Sequence, residues 1–219
     1  MPKKTTKRSR ISPKKSSPQW TATSRLLRNL EPEEMLELFQ QLYLLSQDNA
    51  EFIDSQFKSP KGDKLLEGYR ERIIQEFFPD RNPHDSFPRM GKIKQWIRDY
   101  RKGTGDLAGT TELMMTFQEQ GASFTLQYGD IDERFYDSLL SGWNDLEKML
   151  TKDAPELFPA FRERMLEIVK PTYGRIGWGY GDGVYLAVYD IYDFHELRIG
   201  HSGNWKTGFQ FHVVEKKDE

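Results

Sequence analysis

The chain has 219 residues, no cysteine, 32 basic against 34 acidic side chains and a 37% hydrophobic share. That composition suits a packed core and excludes a disulfide framework, a thiolate metal site and a cysteine nucleophile. No apolar run approaches the ~20 residues that span a bilayer, and the basic N-terminus has no apolar segment behind it, so neither a membrane helix nor a secretory signal is expected.

Charge is unevenly placed. Residues 1–30 carry nine basic side chains and no acid, which leaves 23 basic residues to face all 34 acids in the rest of the chain. Within this stretch, residues 1–19 are almost wholly Lys, Arg, Ser, Thr and Pro. They hold too little apolar area to offset ordering entropy, so a disordered basic tail is expected there. It has three possible uses: to attract a polyanion, to fold back on the acidic body, or to keep the chain dissolved.

From Trp20 the pattern turns helical. Thr23 or Ser24 caps a short helix with Leu26, Leu27 and Leu30. Glu31-Pro32-Glu33-Glu34 opens a stronger one, since proline suits the first helical position and glutamates suit the positive helix end. Met35, Leu38, Phe39, Leu42, Tyr43 and Leu45 give it an apolar face. A short helix is expected near Asn49 to Phe57, then a loop at Lys58 to Gly62. Asp63 starts the next helix, whose broad apolar arc runs from Leu65 to Phe78.

Pro79 to Pro88 reads as a connection, and Gly91 to Lys102 as a helix with Ile93, Trp96, Ile97 and Tyr100 on one stripe. Leu107 to Gln120 follows, closed by Gly121. Asp130 caps a long helix reaching about Leu150, with Phe135, Leu139, Trp143, Leu146 and Leu150 at its apolar positions, and Pro155 to Val169 forms another, ended by Pro171. Val184 to Tyr192 has strand-like composition, but Val184, Ala187, Val188 and Ile191 fall at helical spacing. Asp182 is available as a cap, and a helix is the preferred reading. Residues 193–219 form an irregular extension, with Phe209 to Val214 as one short strand in need of a partner.

The expected fold is therefore all-α: a multi-helix bundle or short array of helical hairpins over residues 20–192, behind the tail of residues 1–19. Three segments carry a resemblance: SQFKSPKGDKLLEGYRERIIQEFFP, QGASFTLQYGDIDERFYDSLLSGW and RIGWGYGDGVYLAVYDIY. In that order they resemble an uncharacterised bacterial family, domain of unknown function 6155, over about Glu31 to Tyr192. The resemblance implies an all-helical fold. It brings no activity, cofactor or catalytic residue.

Candidate sites are few. Ser12-Pro13-Lys14-Lys15 resembles a linker-histone minor-groove motif, in which a proline turn presents two cations to a narrow negative groove. With Lys3, Lys4, Lys7, Arg8 and Arg10 it makes the tail a polyanion-binding candidate. Lys94, Arg98, Arg101 and Lys102 form a basic stripe beside the apolar face of helix 91–102, read as either a phosphate-tracking surface or a solvated face.

Asp130, Asp132 and Glu133 have carboxylates for a divalent cation but lack the spacing and glycine of a calcium loop, and helix capping already accounts for them. Gly177 to Gly183 lacks the lysine and the preceding strand of a phosphate loop. There, Trp178 and Tyr180 either anchor a helix junction or wall a pocket with Asp182 and Asp130. His84, His195, His201 and His212 have no zinc-ligand spacing, and no nucleophile turn is present.

No metal, cofactor or catalytic set is thus expected. The favoured function is a noncatalytic cytoplasmic helical module for a protein partner. The alternative is nucleic-acid association through the tail.

Overall fold

The computed structural model describes residues 18–57, 62–79, 87–204 and 208–216. Of the expected disordered tail, residues 1–17 lie outside these, while Pro18 and Gln19 already belong to a helix. Nine α-helices appear in the described residues: α1 (Pro18–Leu27), α2 (Pro32–Leu45), α3 (Gln47–Phe57), α4 (Gly62–Phe77), α5 (Met90–Thr104), α6 (Leu107–Tyr128), α7 (Glu133–Lys148), α8 (Phe158–Thr172) and α9 (Tyr180–Phe194). A π turn (Met149–Asp153) and a short 3-10 turn (Pro155–Leu157) join α7 to α8. Strands β1 (Leu197–Asn204) and β2 (Gly208–Glu215) follow α9. The protein is an all-α bundle with one appended hairpin. No described helix is long and apolar enough to cross a membrane.

The described residues form two compact units, divided within α4 and α5. In the first, α2 and α3 make an antiparallel helical hairpin. Asn49 Nδ2 donates to Leu42 O at 2.9 Å across its turn, and Tyr43 Oη donates to Asp54 Oδ2 at 3.3 Å. Glu34 accepts from the Glu31 backbone N–H at 2.9 Å, which satisfies one otherwise unpaired donor at the start of α2. None of the α2 residues is buried.

The second unit holds the core. In it α6 packs on α7 and α8, and α9 lies on α7 and α8. Leu113, Met115 and Phe117 of α6 are buried together with Leu139, Trp143 and Leu146 of α7, Met165 and Val169 of α8, and Val184, Val188 and Ile191 of α9. Being enclosed on several sides, α6 also buries Thr110, Thr111 and Thr116, whose hydroxyls return to the carbonyls of Asp106, Leu107 and Glu112 one turn earlier.

Gly121 does not end α6, contrary to the sequence expectation. A Cβ there would overlap the Leu139 side chain, so the glycine permits close approach of α6 and α7, and the helix continues to Tyr128. Asp132, not Asp130, caps α7 by accepting from Phe135 N at 2.8 Å. The ambiguous run from Val184 is helical, but α9 begins at Tyr180 behind Gly179, and Asp182 lies inside its first turn.

The C-terminal segment differs from the lone strand expected. Its partner is β1, in register from Leu197 opposite Glu215 to Asn204 opposite Gly208. Rings of Tyr173, Tyr185, His201, Phe209 and Phe211 cluster between this hairpin and helices α8 and α9, at centroid separations from 4.8 Å upward. A Gly-His-Ser-Gly stretch gives β1 little strand signal, and only Ile199 of it is buried.

Glu76 ties α4 to the start of α5. It accepts from Arg89 N at 2.9 Å and Nε at 2.8 Å, and its second oxygen meets Nη2 at 2.7 Å. The Arg89 hydrogen bond holds the Glu76 carboxyl below its ordinary value of 4.5. A depressed folded pKa means the contact stabilises in full above pH 4.5 and is lost as pH falls through the folded value. Arg89 is largely exposed, which limits the worth of the pair to about 0.5–1 kcal/mol. Scanning calorimetry from pH 7 to 3 should therefore show the wild-type midpoint falling more steeply on the acid side than that of Glu76→Gln.

Candidate functional site

The basic stripe of α5 has a definite setting. Lys94, Arg98 and Arg101 recur at i, i+4 and i+7, which puts them on one side of the helix. They border an open cavity of about 250 Å³. Ile97 of α5 and Met114 and Phe117 of α6 supply its apolar lining. The facing wall is α7, which contributes Gly142 and Asp145. A Cβ at Gly142 would overlap the buried Gln118 amide and the Phe117 ring, so glycine lets α7 come close to α6 here.

The three cations are held differently. Arg101 Nη2 donates to Asp153 Oδ2 at 2.8 Å, and that hydrogen bond holds the Asp153 carboxyl below its ordinary value. Arg98 Nη2 donates to Gln95 Oε1 at 2.8 Å. Lys94 makes no ion pair among the described residues. Burial pushes its ammonium below the usual lysine value; Asp145 opposes that shift and Arg98 reinforces it. Asp145, Met114 and Phe117 were not singled out from sequence. Asp145 sits 44 residues from Arg101, and only the packing of α5, α6 and α7 brings them to one cavity.

The other candidates are dispersed. Tyr180 is fully buried, with its ring 5.2 Å from that of Tyr136, and burial pushes its phenol above the usual tyrosine value. The Trp143 indole lies beside it and acts in the opposite direction. Neither Tyr180 Oη nor Trp143 Nε1 meets a hydrogen-bond partner at good distance and angle among the described residues. Trp178 is 59% exposed at φ 57°, a left-handed conformation uncommon for a bulky residue.

Trp178 and Tyr180 therefore do not wall a common pocket: one ring is in the core and the other in solvent. Asp182 and Asp130 are exposed, and Asp130 lies next to Gly177. The junction-anchor reading fits Tyr180 alone. The tail candidates Lys3, Lys4, Lys7, Arg8, Arg10, Lys14 and Lys15 lie outside the described residues. His195 stacks on Phe158 at 4.0 Å, with Nε2 2.8 Å from Leu150 O, an interior packing role. No described group of three or more His, Asp or Glu side chains is placed to hold a metal ion.

A different kind of surface appears on the first unit. Leu36, Phe39, Leu42, Leu44 and Leu45 of α2 are exposed, Leu44 by 73% and Leu45 by 75%. Phe52 of α3 and Leu26 of α1 add to the apolar area. Between α1 and α2 runs an open groove of about 710 Å³ bordered by Trp20, Leu27 and Met35. Residues 29–57 contain Glu31, Glu33, Glu34, Glu37, Asp48, Glu51 and Asp54 and not one Lys or Arg. The hairpin is thus an apolar surface in a wholly acidic segment. Phe39, Leu42 and Leu45 were legible as part of an amphipathic face, whereas Leu36 and Leu44 lie outside the expected face, and spacing alone did not reveal that these side chains stay exposed.

No family model, curated protein or solved structure matches the chain. The geometry alone must carry the functional reading.

Proposed function

We propose that the protein is a noncatalytic helical interaction module whose α2–α3 hairpin receives an amphipathic, basic-bordered helix of a protein partner. The supporting observation is the uncovered apolar surface of α2, set in a segment with seven acids and no base. Exposed apolar area of this kind marks an interaction surface, and a helix laid in a hydrophobic groove is a recurrent way to cover it. The acids favour lysines or arginines along the edges of the incoming helix. The chain's own tail is basic, but Ile11 is its one β-branched aliphatic residue, so it lacks the apolar stripe this face requires. The tail adds electrostatic reach toward an acidic partner surface or polyanion. The absence of cysteine suits work in the reducing cytoplasm. Membership of the bacterial family resembled in sequence belongs to the same proposal.

Fluorescence anisotropy with a synthetic helical peptide, its leucine stripe bordered by lysines, tests the reading. Saturable micromolar binding is expected, with little from the same peptide bordered by glutamates. Leu36→Ser combined with Leu44→Ser should weaken it at least tenfold, since each buried leucine contributes about 1.5–3 kcal/mol. Both side chains are exposed, so the fold should be unaffected. Removal of residues 1–17 should leave binding intact. Equal binding by the serine variant, or dependence on the tail alone, would sink the proposal.

A further inference from the structure

We infer that the cavity between α5, α6 and α7 is a binding site for a small phosphate monoester, with the phosphate between Lys94 and Arg98 and its organic group on Met114 and Phe117. This inference stands apart from the hairpin surface and involves the other unit.

Four observations lead to it. First, the charges are concentrated and concave. Lys94 and Arg101 are seven residues apart on a helix, about 10.5 Å along its axis. That spans one phosphate group and its surroundings, not a tract of nucleic-acid backbone. Asp145 on the facing wall opposes any anion in the cleft, the monoester included, so the phosphate sits on the α5 side.

Second, both guanidinium groups of the cavity are already tethered. Asp153 fixes Arg101 and Gln95 steadies Arg98. At Arg98, the guanidinium that would meet the phosphate, part of the ordering cost that usually weakens a surface charge contact is therefore met before any ligand arrives.

Third, Lys94 is partly buried without an ion pair among the described residues, beside the like charge of Arg98. Desolvating an unpaired ammonium is unfavourable, and an incoming dianion would offset both the burial and the repulsion. Arg101 is largely neutralised by Asp153, and Asp145 offsets part of the Lys94 charge, which leaves Lys94 and Arg98 together as the net positive pair that meets the phosphate.

Fourth, the cavity is small and its lining is mixed. About 250 Å³ lies just below the ~300–1,000 Å³ of drug-sized sites. It admits a monoester of one ring or a short chain, with Ile97, Met114 and Phe117 taking up the apolar part.

Isothermal titration calorimetry on the full chain, with phenyl phosphate as probe, tests this. A single site with submillimolar affinity is expected. Inorganic phosphate should bind about tenfold more weakly because it leaves the apolar lining uncovered, and benzoate should be weaker than phenyl phosphate because it carries one charge. Lys94→Gln and Arg98→Gln should each lower phenyl phosphate affinity about tenfold with unchanged melting curves. Asp145→Asn should raise it severalfold, an opposite sign that general damage to the fold would not produce.

Nonspecific attraction to the tail would be indifferent to all three substitutions. If no saturable binding is seen, or if binding is the same in Lys94→Gln and Arg98→Gln, the inference is overturned. It is also overturned if these variants lose affinity for duplex DNA while the wild type ignores phenyl phosphate; the stripe would then be a backbone-tracking surface.

Discussion

Trp143→Ala should lower the unfolding free energy by about 3–5 kcal/mol, read by urea denaturation at neutral pH. The indole is fully buried on α7, which packs against both α6 and α9. Gly142, the residue before it, brings α7 against Phe117 of α6, and Tyr180 at the start of α9 lies beside the indole. Truncation to alanine removes the largest fully buried side chain among the described residues from a junction of three helices.

Such a junction collapses poorly, because the neighbouring backbones are already in close contact, so a cavity term adds to the lost transfer energy. The indole N–H lies beside the Tyr180 hydroxyl but makes no hydrogen bond of good distance and angle among the described residues, so little hydrogen-bond energy goes with it. The cost is one of packing. For a domain with a typical total of about 5–15 kcal/mol, the variant would sit near the threshold of stability. Trp178→Ala is the internal control: its ring is 59% exposed, and the change should stay within about 0.5 kcal/mol. A small effect at Trp143, or a large one at Trp178, would mean that the helices do not pack as described.

The contrast between those two tryptophans also shows what the sequence reveals. Periodicity placed Trp143 on the apolar face of α7, along with Phe135, Leu139 and Leu146, and all four are buried. It also resolved the run from Val184 as helix, because one face of a helix keeps its 3.6-residue period even when the composition is strand-like. It failed where a residue's role depends on a distant neighbour. Gly121 looks like a helix stop until Leu139 is seen against it. The residues of β1 look like loop until β2 pairs with them, since a strand of Gly, His and Ser carries no local signature.

The glycine-flanked Trp178 and Tyr180 drew attention as a pocket by their composition, yet one ring faces solvent and the other fills the core. The cavity that does exist was half visible. Lys94, Arg98 and Arg101 follow from helical spacing, whereas Asp145 and the apolar lining belong to α6 and α7 and needed the tertiary fold. The same limit applied to α2. Its amphipathic pattern predicts an apolar stripe, but a stripe that docks inside the protein and one that waits for a partner have the same period.

Arg164→Leu should cost about 2 kcal/mol, for a reason opposite in kind to that at Trp143. Arg164 on α8 grips two glutamates that lie seven residues apart on α6. Its Nε donates to Glu119 at 2.7 Å and Nη1 to Glu112 at 2.5 Å, while Nη2 bonds to both at 2.9 and 3.0 Å. The Glu119 hydrogen bond is the main reason the guanidinium pKa is raised above its ordinary value; burial opposes the shift and Glu112 adds to it.

Breaking a fully buried pair costs about 3–5 kcal/mol and an exposed one about 0–1. Here the side chains are a quarter to a third exposed, which places the loss between those limits. The carboxylates left behind share one face of α6, and among the described residues Arg70, 3.8 Å from Glu112, is the one cation paired with either of them once Arg164 is gone. The loss therefore arises mainly from two unneutralised acids, and removing their charge should reverse much of it. In the background of Arg164→Leu, Glu112→Gln together with Glu119→Gln should recover at least half of the lost stability, because neutral amides neither repel nor demand a cation. If the triple variant is no more stable than Arg164→Leu alone, the α6–α8 junction is held by the arginine's packing against Phe161, 5.6 Å from the guanidinium carbon, and the electrostatic account of that junction fails.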